Sequence, residues 1–184
     1  MPISDIQKNP ATGALYVEQL NTAGTSLGSS AHSTTVVITR PANATPYTAG
    51  DVIGDTGGSA IFAFANMARA AGDVIITSIE LEVDAVAVPS GMGGFNVRLY
   101  NASPTAIADN DAWDFPVADR GKYLGKVQLA TPIDEISTLF SDNDQINKQI
   151  TLTSTTLYVE LQTPNGFTPT SSGVKRLTIH TLDV

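Results

Sequence analysis

The segment D-V-I-I-T-S-I-E-L-E-V-D-A, residues 73–85, constrains this chain more than any other. In its later half Ile79, Leu81 and Val83 alternate with Glu80, Glu82 and Asp84. An alternation of period two puts the apolar side chains on one face of a strand and the carboxylates on the other. A helix would scatter both sets around its axis. The same texture recurs along the chain. Residues 34–40 (T-T-V-V-I-T-R) are β-branched until Pro41 stops them. In residues 95–100, Phe95, Val97 and Leu99 alternate with Asn96, Arg98 and Tyr100. Residues 51–54, 122–129, 149–153, 157–162 and 174–184 complete the strand candidates. Turn chemistry separates them, in P-A-N-A-T-P-Y-T-A-G (41–50), D-T-G-G (55–58) and P-S-G-M-G-G (89–94). This order predicts an all-β fold, an antiparallel β-sandwich of jelly-roll-like build.

Two segments resist the pattern. Residues 59–72 (S-A-I-F-A-F-A-N-M-A-R-A-A-G) are alanine-rich, which favours helix, yet Ile61, Ala63 and Ala65 alternate with Phe62 and Phe64. A strand buried on both faces is the preferred reading. Residues 133–140 (I-D-E-I-S-T-L-F) place Ile133, Ile136, Leu139 and Phe140 at helical spacing and predict a one- or two-turn connector.

Residues 1–33 differ from the rest. A polar start is followed by the apolar stretch A-L-Y-V-E-Q-L (14–20), then by small polar residues (21–33) that cannot repay their ordering entropy with burial. They are expected to form an extended arm and linker, with residues 34–184 as the sandwich domain; a first strand followed by an ordinary long loop is the alternative. The M-P-I-S-D-I-Q-K-N-P start has no apolar run flanked by positive charge, so no signal peptide is expected.

Composition narrows function. The net charge of −8 repels phosphates, and Lys175-Arg176 is the densest basic pair, so nucleic acid is not an expected partner. No apolar run approaches the about 18 residues that span a membrane. The absence of cysteine removes disulfides, thiolate zinc sites and cysteine nucleophiles. Only 15% of residues are charged, against roughly 25% in typical globular chains, which leaves small polar and apolar surface for subunit contacts.

Motifs that could carry chemistry fail on context. Gly24-Thr25-Ser26-Leu27-Gly28 has the form of a hydrolase nucleophile elbow but lies in the small-residue linker, with no strand before it and no amphipathic helix after. His32 falls in that linker, and His180 is expected on the face opposite Leu177 and Ile179; two histidines so far apart give no local zinc spacing. The loop A-D-N-D-A-W-D-F-P-V-A-D-R-G-K-Y-L-G (108–125) gathers Asp109, Asp111, Asp114 and Asp119 around Trp113. Counting from Asp109, a calcium loop would need glycine sixth and glutamate twelfth; Asp114 and Arg120 stand there. The favoured reading is a turn-rich loop held to the sheet by Trp113 and Phe115, with Asp119 and Arg120 able to pair. Asp109, Asp111, Trp113, Asp114 and Tyr123 remain the candidate ligand or contact loop, a sugar being the ligand that Trp113 and Tyr123 would suit. No catalytic, cofactor or metal residue is assigned.

Three blocks, R-P-A-N-A-T-P-Y-T-A-G-D-V-I-G-D (40–55), the run 89–125 from P-S-G-M-G-G-F-N-V-R-L-Y to R-G-K-Y-L-G, and V-K-R-L-T-I-H-T-L-D-V (174–184), together resemble tailed-bacteriophage virion structural proteins of the capsid decoration (cement) or head-fibre type. The resemblance covers about residues 34–184. It implies a non-enzymatic subunit on the capsid exterior, made in the host cytoplasm, that binds major capsid protein junctions as a homo-oligomer, a trimer matching a local three-fold of the shell. A glycan- or receptor-binding module of a fibre or tail is the alternative. Leu15, Tyr16, Val17 and Leu20 in the arm are the expected capsid-docking residues, by strand addition to a neighbour's sheet edge.

Overall fold

The computed structural model describes residues 30–184, together with the strands β1 (Gln7–Lys8) and β2 (Leu15–Tyr16), which pair antiparallel. The chain divides into two units, Met1–Ser30 and Ala31–Val184. Val17, Leu20 and the G-T-S-L-G motif lie outside the described residues, as do the side chains of Leu15 and Tyr16.

The second unit holds strands β3 (Ala31–Thr39), β4 (Val52–Ile53), β5 (Ile61–Phe64), β6 (Gly72–Val83), β7 (Phe95–Tyr100), β8 (Tyr123–Leu129), β9 (Ile133–Asp134), β10 (Leu139–Asn143), β11 (Lys148–Leu152), β12 (Leu157–Gln162) and β13 (Val174–Asp183). One sheet runs β3-β13-β6-β10-β9, with β11 on the other half of the same side of β6. The other runs β4-β12-β7-β8, with β5 beside the first half of β12. All these pairings are antiparallel. Counting β4 with β5, and β10 with β11, as single broken strands, and setting aside the two-residue β9, leaves eight positions, ordered 1-8-3-6 in one sheet and 2-7-4-5 in the other. That is the jelly-roll order, two Greek keys wound as a sandwich. The fold is an all-β antiparallel sandwich.

The core lies between the sheets. Ile38, Ile79, Leu81, Leu177 and Ile179 on one side meet Phe62, Phe64, Val97, Leu99, Val159 and Leu161 on the other, all buried. In β6 the inward parity changes midway: Val74 and Ile76 are buried, then Ile79, Leu81 and Val83. A bulge opposite His180/Thr181 absorbs the extra residue, so both halves of the strand serve one core.

Four expectations are corrected. Residues 133–140 form no helix; β9 and β10 make a tight hairpin. Asp134 Oδ1 accepts the Ile136 N–H at 2.8 Å, Ile136 sits at φ 79°, and both Ile133 and Ile136 are exposed. The Asp side chain satisfied the backbone locally, and pairing with β6 gave Leu139 its burial. His32 is not in a linker: it lies within β3, because the ten-residue β13 extends the ladder back to Ala31. Asp119 pairs with Lys122 at 2.8 Å, not with Arg120, which is exposed. Residues 59–72 contribute the short strand β5, with Phe62 and Phe64 inward and Ala63 exposed, so it is buried on one face only.

Candidate functional site

The outer face of the second sheet is where two of the sequence-selected residues, Trp113 and Tyr123, meet. Strand alternation sends Asn96, Arg98 and Tyr100 of β7, and Tyr158, Glu160 and Gln162 of β12, away from the core. On β8, simple alternation from the inward Val127 would turn Tyr123 inward. A bulge at Leu124-Gly125, with Gly125 at φ 100°, flips it, so Tyr123 stands beside Tyr100 on the outer face. The β7–β8 connection, residues 101–122, then folds back over this polar surface. It is anchored by backbone bonds from Trp113 N to Gly50 O (2.9 Å) and Val52 N to Asp111 O (2.9 Å), and by the Asp51–Ala112 and Ser59–Ala108 bridges.

Trp113 is the centre of the contact. Its ring stacks with Phe115 (5.6 Å, 18°), and the Arg98 guanidinium lies 3.3 Å from its centroid. Its Nε1 donates to Glu160 Oε2 (3.1 Å) and reaches Tyr100 OH at 3.3 Å. Tyr100 OH in turn donates to Glu160 Oε2 at 2.6 Å. Arg98 also donates to Gln162 Oε1 from Nε and Nη2 (3.0 and 2.5 Å) and to Tyr123 OH at 3.2 Å, and Gln162 Nε2 donates to Gly50 O. Glu160 is 1% exposed, and its Oε1 has no hydrogen-bond partner among the described residues. Burial pushes its carboxyl above the usual glutamate range, against the opposing bonds from Tyr100 and Trp113. Burial likewise raises the Tyr100 hydroxyl.

The aspartates disperse. Asp109 Oδ1 accepts from Tyr47 OH (2.7 Å) and Gly54 N (2.8 Å), and its Oδ2 lies 3.7 Å from Arg40 Nη2. A side chain at Gly54 would put its Cβ 2.8 Å from Asp109 Cβ, so the approach requires glycine there. Asp114 accepts from the Phe115 N–H, and Asp111 is exposed. Burial alone would push Asp119 up, but bonds from Lys122 and Thr105 hold its carboxyl below the usual range. Among the described residues no group of three or more His, Asp or Glu side chains stands where it would hold a metal ion.

Sequence reasoning missed the partners on the sheet. Arg98, Tyr100, Glu160 and Gln162 read as ordinary outward residues of two strands. The overlooked signal was Gly125 inside a strand pattern, which marks a bulge. It also missed Arg40, fully buried. Arg40 donates to Tyr47 OH (2.9 Å) and Thr45 O (2.8 Å), and to Asn43 O. Nearby, burial and the Arg40 charge depress the buried Lys175 amine to about 8. The cavity that Lys175 lines with Met92 and Phe167 has about 20 Å³, room for one water against the roughly 300–1,000 Å³ of small-molecule sites. His180 Nε2 lies 3.3 Å from Glu80 Oε1 on the outer face of the first sheet, and His32 Nε2 lies 3.1 Å from Asp183.

Trp113 thus fastens a loop to a sheet. Trp113→Ala is expected to lower stability by about 3 kcal/mol and to expose residues 101–122 to proteolysis. Urea unfolding followed by circular dichroism, with limited trypsin digestion, reads both; an unchanged midpoint and digestion rate would refute the fastening role.

No protein-family model matches the chain, and no curated protein matches it significantly. Among solved structures it is similar to that of Cocksfoot mottle virus, at 14% identity and TM-score 0.32 over 98% of this chain and 95% of that one. It is also similar to Desmodium yellow mottle tymovirus, at 9% identity and TM-score 0.29 over 89% and 92%, and to turnip yellow mosaic virus, at 12% identity and TM-score 0.29 over 91% and 88%. Superpositions this loose add nothing to the fold, which rests on the strand order.

Proposed function

We propose that this chain is a non-enzymatic structural subunit of a tailed-bacteriophage virion that decorates the capsid and reinforces junctions of the major capsid protein. The observation that carries the reading is the jelly-roll strand order, taken with the three sequence blocks that resemble such virion proteins; the step from fold to role is one of analogy. The charge supports the outer surface of a shell over its DNA-facing side: Glu80, Glu82 and Asp84 lie on the outer face of the first sheet, in a chain of net charge −8. Docking is assigned to the arm residues Leu15, Tyr16, Val17 and Leu20. Glycan recognition at Trp113 gains nothing from the geometry, because the indole is engaged by Arg98 and Phe115.

Immunogold electron microscopy of a phage lysate, with antibody raised against this chain, tests the role. Gold over the heads is expected. Gold confined to tails or fibre tips would move the assignment to receptor binding, and gold on no particle would discard it.

A further inference from the structure

Sheet edges are where folded β proteins risk pairing with other chains, so they are kept short, bulged, charged or covered. Most edges of this molecule follow that rule. β9 has two residues, one of them Asp134, and β11 begins with Lys148. β4 and β5 have two and four residues. β8 carries Lys126 and the bulge at Gly125. β3 does not follow it. Its nine residues, A-H-S-T-T-V-V-I-T, contain no Asp, Glu, Lys, Arg or Pro, and they pair with β13 from Ala31 to Thr39 without a register shift.

The side of β3 that turns away from β13 follows from the ladder. Arg40 N donates to Gly173 O, so the even-numbered residues of this strand turn their backbone groups toward β13. The odd-numbered ones, Ala31, Ser33, Thr35, Val37 and Thr39, turn theirs outward. No described strand other than β13 pairs with β3. The side chains of Ala31, Ser33, Thr35 and Val37 are exposed as well, Val37 at 57%.

We propose that β3 is a self-pairing edge: two copies of this chain join antiparallel along it, about a two-fold axis at Thr35, into one continuous sheet. The strand is complementary to itself in that register. Thr35 faces Thr35 of the second copy and Val37 faces Ser33, and each outward residue exchanges both backbone bonds with its opposite. Such an isologous contact closes on two copies.

The self-complementary register selects a second copy, and the charge distribution leaves this edge open to it. Two chains of net charge −8 repel. The strand next to β3 presents Arg176, Thr178 and His180 outward, while the carboxylates Glu80, Glu82 and Asp84 sit one strand further in, on β6. Five strand spacings of about 4.8 Å would separate the two carboxylate rows, about 24 Å, against a screening length of about 8 Å at physiological salt. Among the described strands no other edge combines that length with that neutrality.

Sedimentation equilibrium of the full chain, with amide hydrogen exchange, tests the pairing. A dimer is expected, with the amides of Ser33, Thr35 and Val37 protected. Val37→Lys places a charge on the edge, and Thr35→Pro removes an outward N–H while sparing the backbone ladder with β13, at the loss of the Thr35–Thr178 hydroxyl bond (2.8 Å). Each should weaken the dimer at least tenfold and release those amides, with an unchanged circular dichroism spectrum. A monomer, a trimer, or a dimer indifferent to both variants would overturn the proposal. A monomer whose edge amides stay protected would do so too, since another segment of the same chain would then cover the edge. The virion role is independent of this contact: gold on heads with a monomeric chain would retain the first and reject the second.

Discussion

Replacing Arg40 by leucine is expected to lower folding stability by about 3–5 kcal/mol, the usual cost of removing one member of a buried, hydrogen-bonded charge pair. At roughly 2–4 °C per kcal/mol for a chain of this size, the melting temperature should fall by about 10 °C. The guanidinium is fully buried and ties the carbonyls of the turn after β3 to the Tyr47 hydroxyl and to Asp109 from the β7–β8 loop, which are themselves hydrogen-bonded to each other. Leucine fills part of the volume but leaves Asp109 without its cation and strands the carbonyls of Asn43 and Thr45. Burial already raises the Tyr47 hydroxyl, so it stays neutral and serves Asp109 only as a donor. Arg40→Lys keeps the charge and loses the planar fork, so it should recover only part of the loss. Urea unfolding of both variants measures this; a loss below about 1 kcal/mol for Arg40→Leu would show that the network does not hold this end of the sandwich.

Glu160→Gln is expected to change how stability depends on pH. A carboxyl whose folded pKa lies above its unfolded value, 4.5 for glutamate, binds its proton more tightly when folded. Its stabilising share is complete below the unfolded value and is lost as pH rises through the folded one. The groups that face Glu160 are Tyr100 and Arg98 from β7 and Trp113 from the loop, with the Asp119 charge raising its pKa further. Glutamine keeps an acceptor for Tyr100 and Trp113 and cannot ionise. The variant should therefore gain on the native protein between about pH 4 and pH 7, by roughly 1.4 kcal/mol for each unit of the shift. Asp119 and Asp183, whose pKa values are lowered, act in the opposite sense in both proteins and cancel from the comparison. Denaturant midpoints at the two pH values decide it. A gap that does not widen with pH would show that the carboxylate is not penalised by its burial.

Two sequence segments show why local pattern was enough in one place and failed in another. Residues 95–100 and 157–162 coincide with β7 and β12, because alternation in a strand of a two-layer fold records directly which face meets the core. Residues 133–140 have apolar spacing that suits a helix equally well. There the outcome turned on Leu139 finding the groove beside β6, a long-range contact that no local period encodes. His32 belongs to the same class, since β13, some 150 positions along the chain, drew it into a strand.

The sequence by itself determined the class of fold. Period-two burial repeated between turn residues leaves two layers of strands as the stable solution, because each strand has one apolar face to hide. It also set the acidic surface and the cysteine-free chemistry, which are properties of composition alone. Only the tertiary structure decided what the conspicuous aspartate–tryptophan loop does. Asp109 goes to Arg40, Asp119 to Lys122, Asp114 to the Phe115 N–H, and Trp113 to Glu160 and Arg98, so the carboxylates that look gathered in sequence form no metal-holding cluster among the described residues. The physical reason is that buried polar groups are placed by the partners that satisfy them, and here those partners stand on strands far away in the chain.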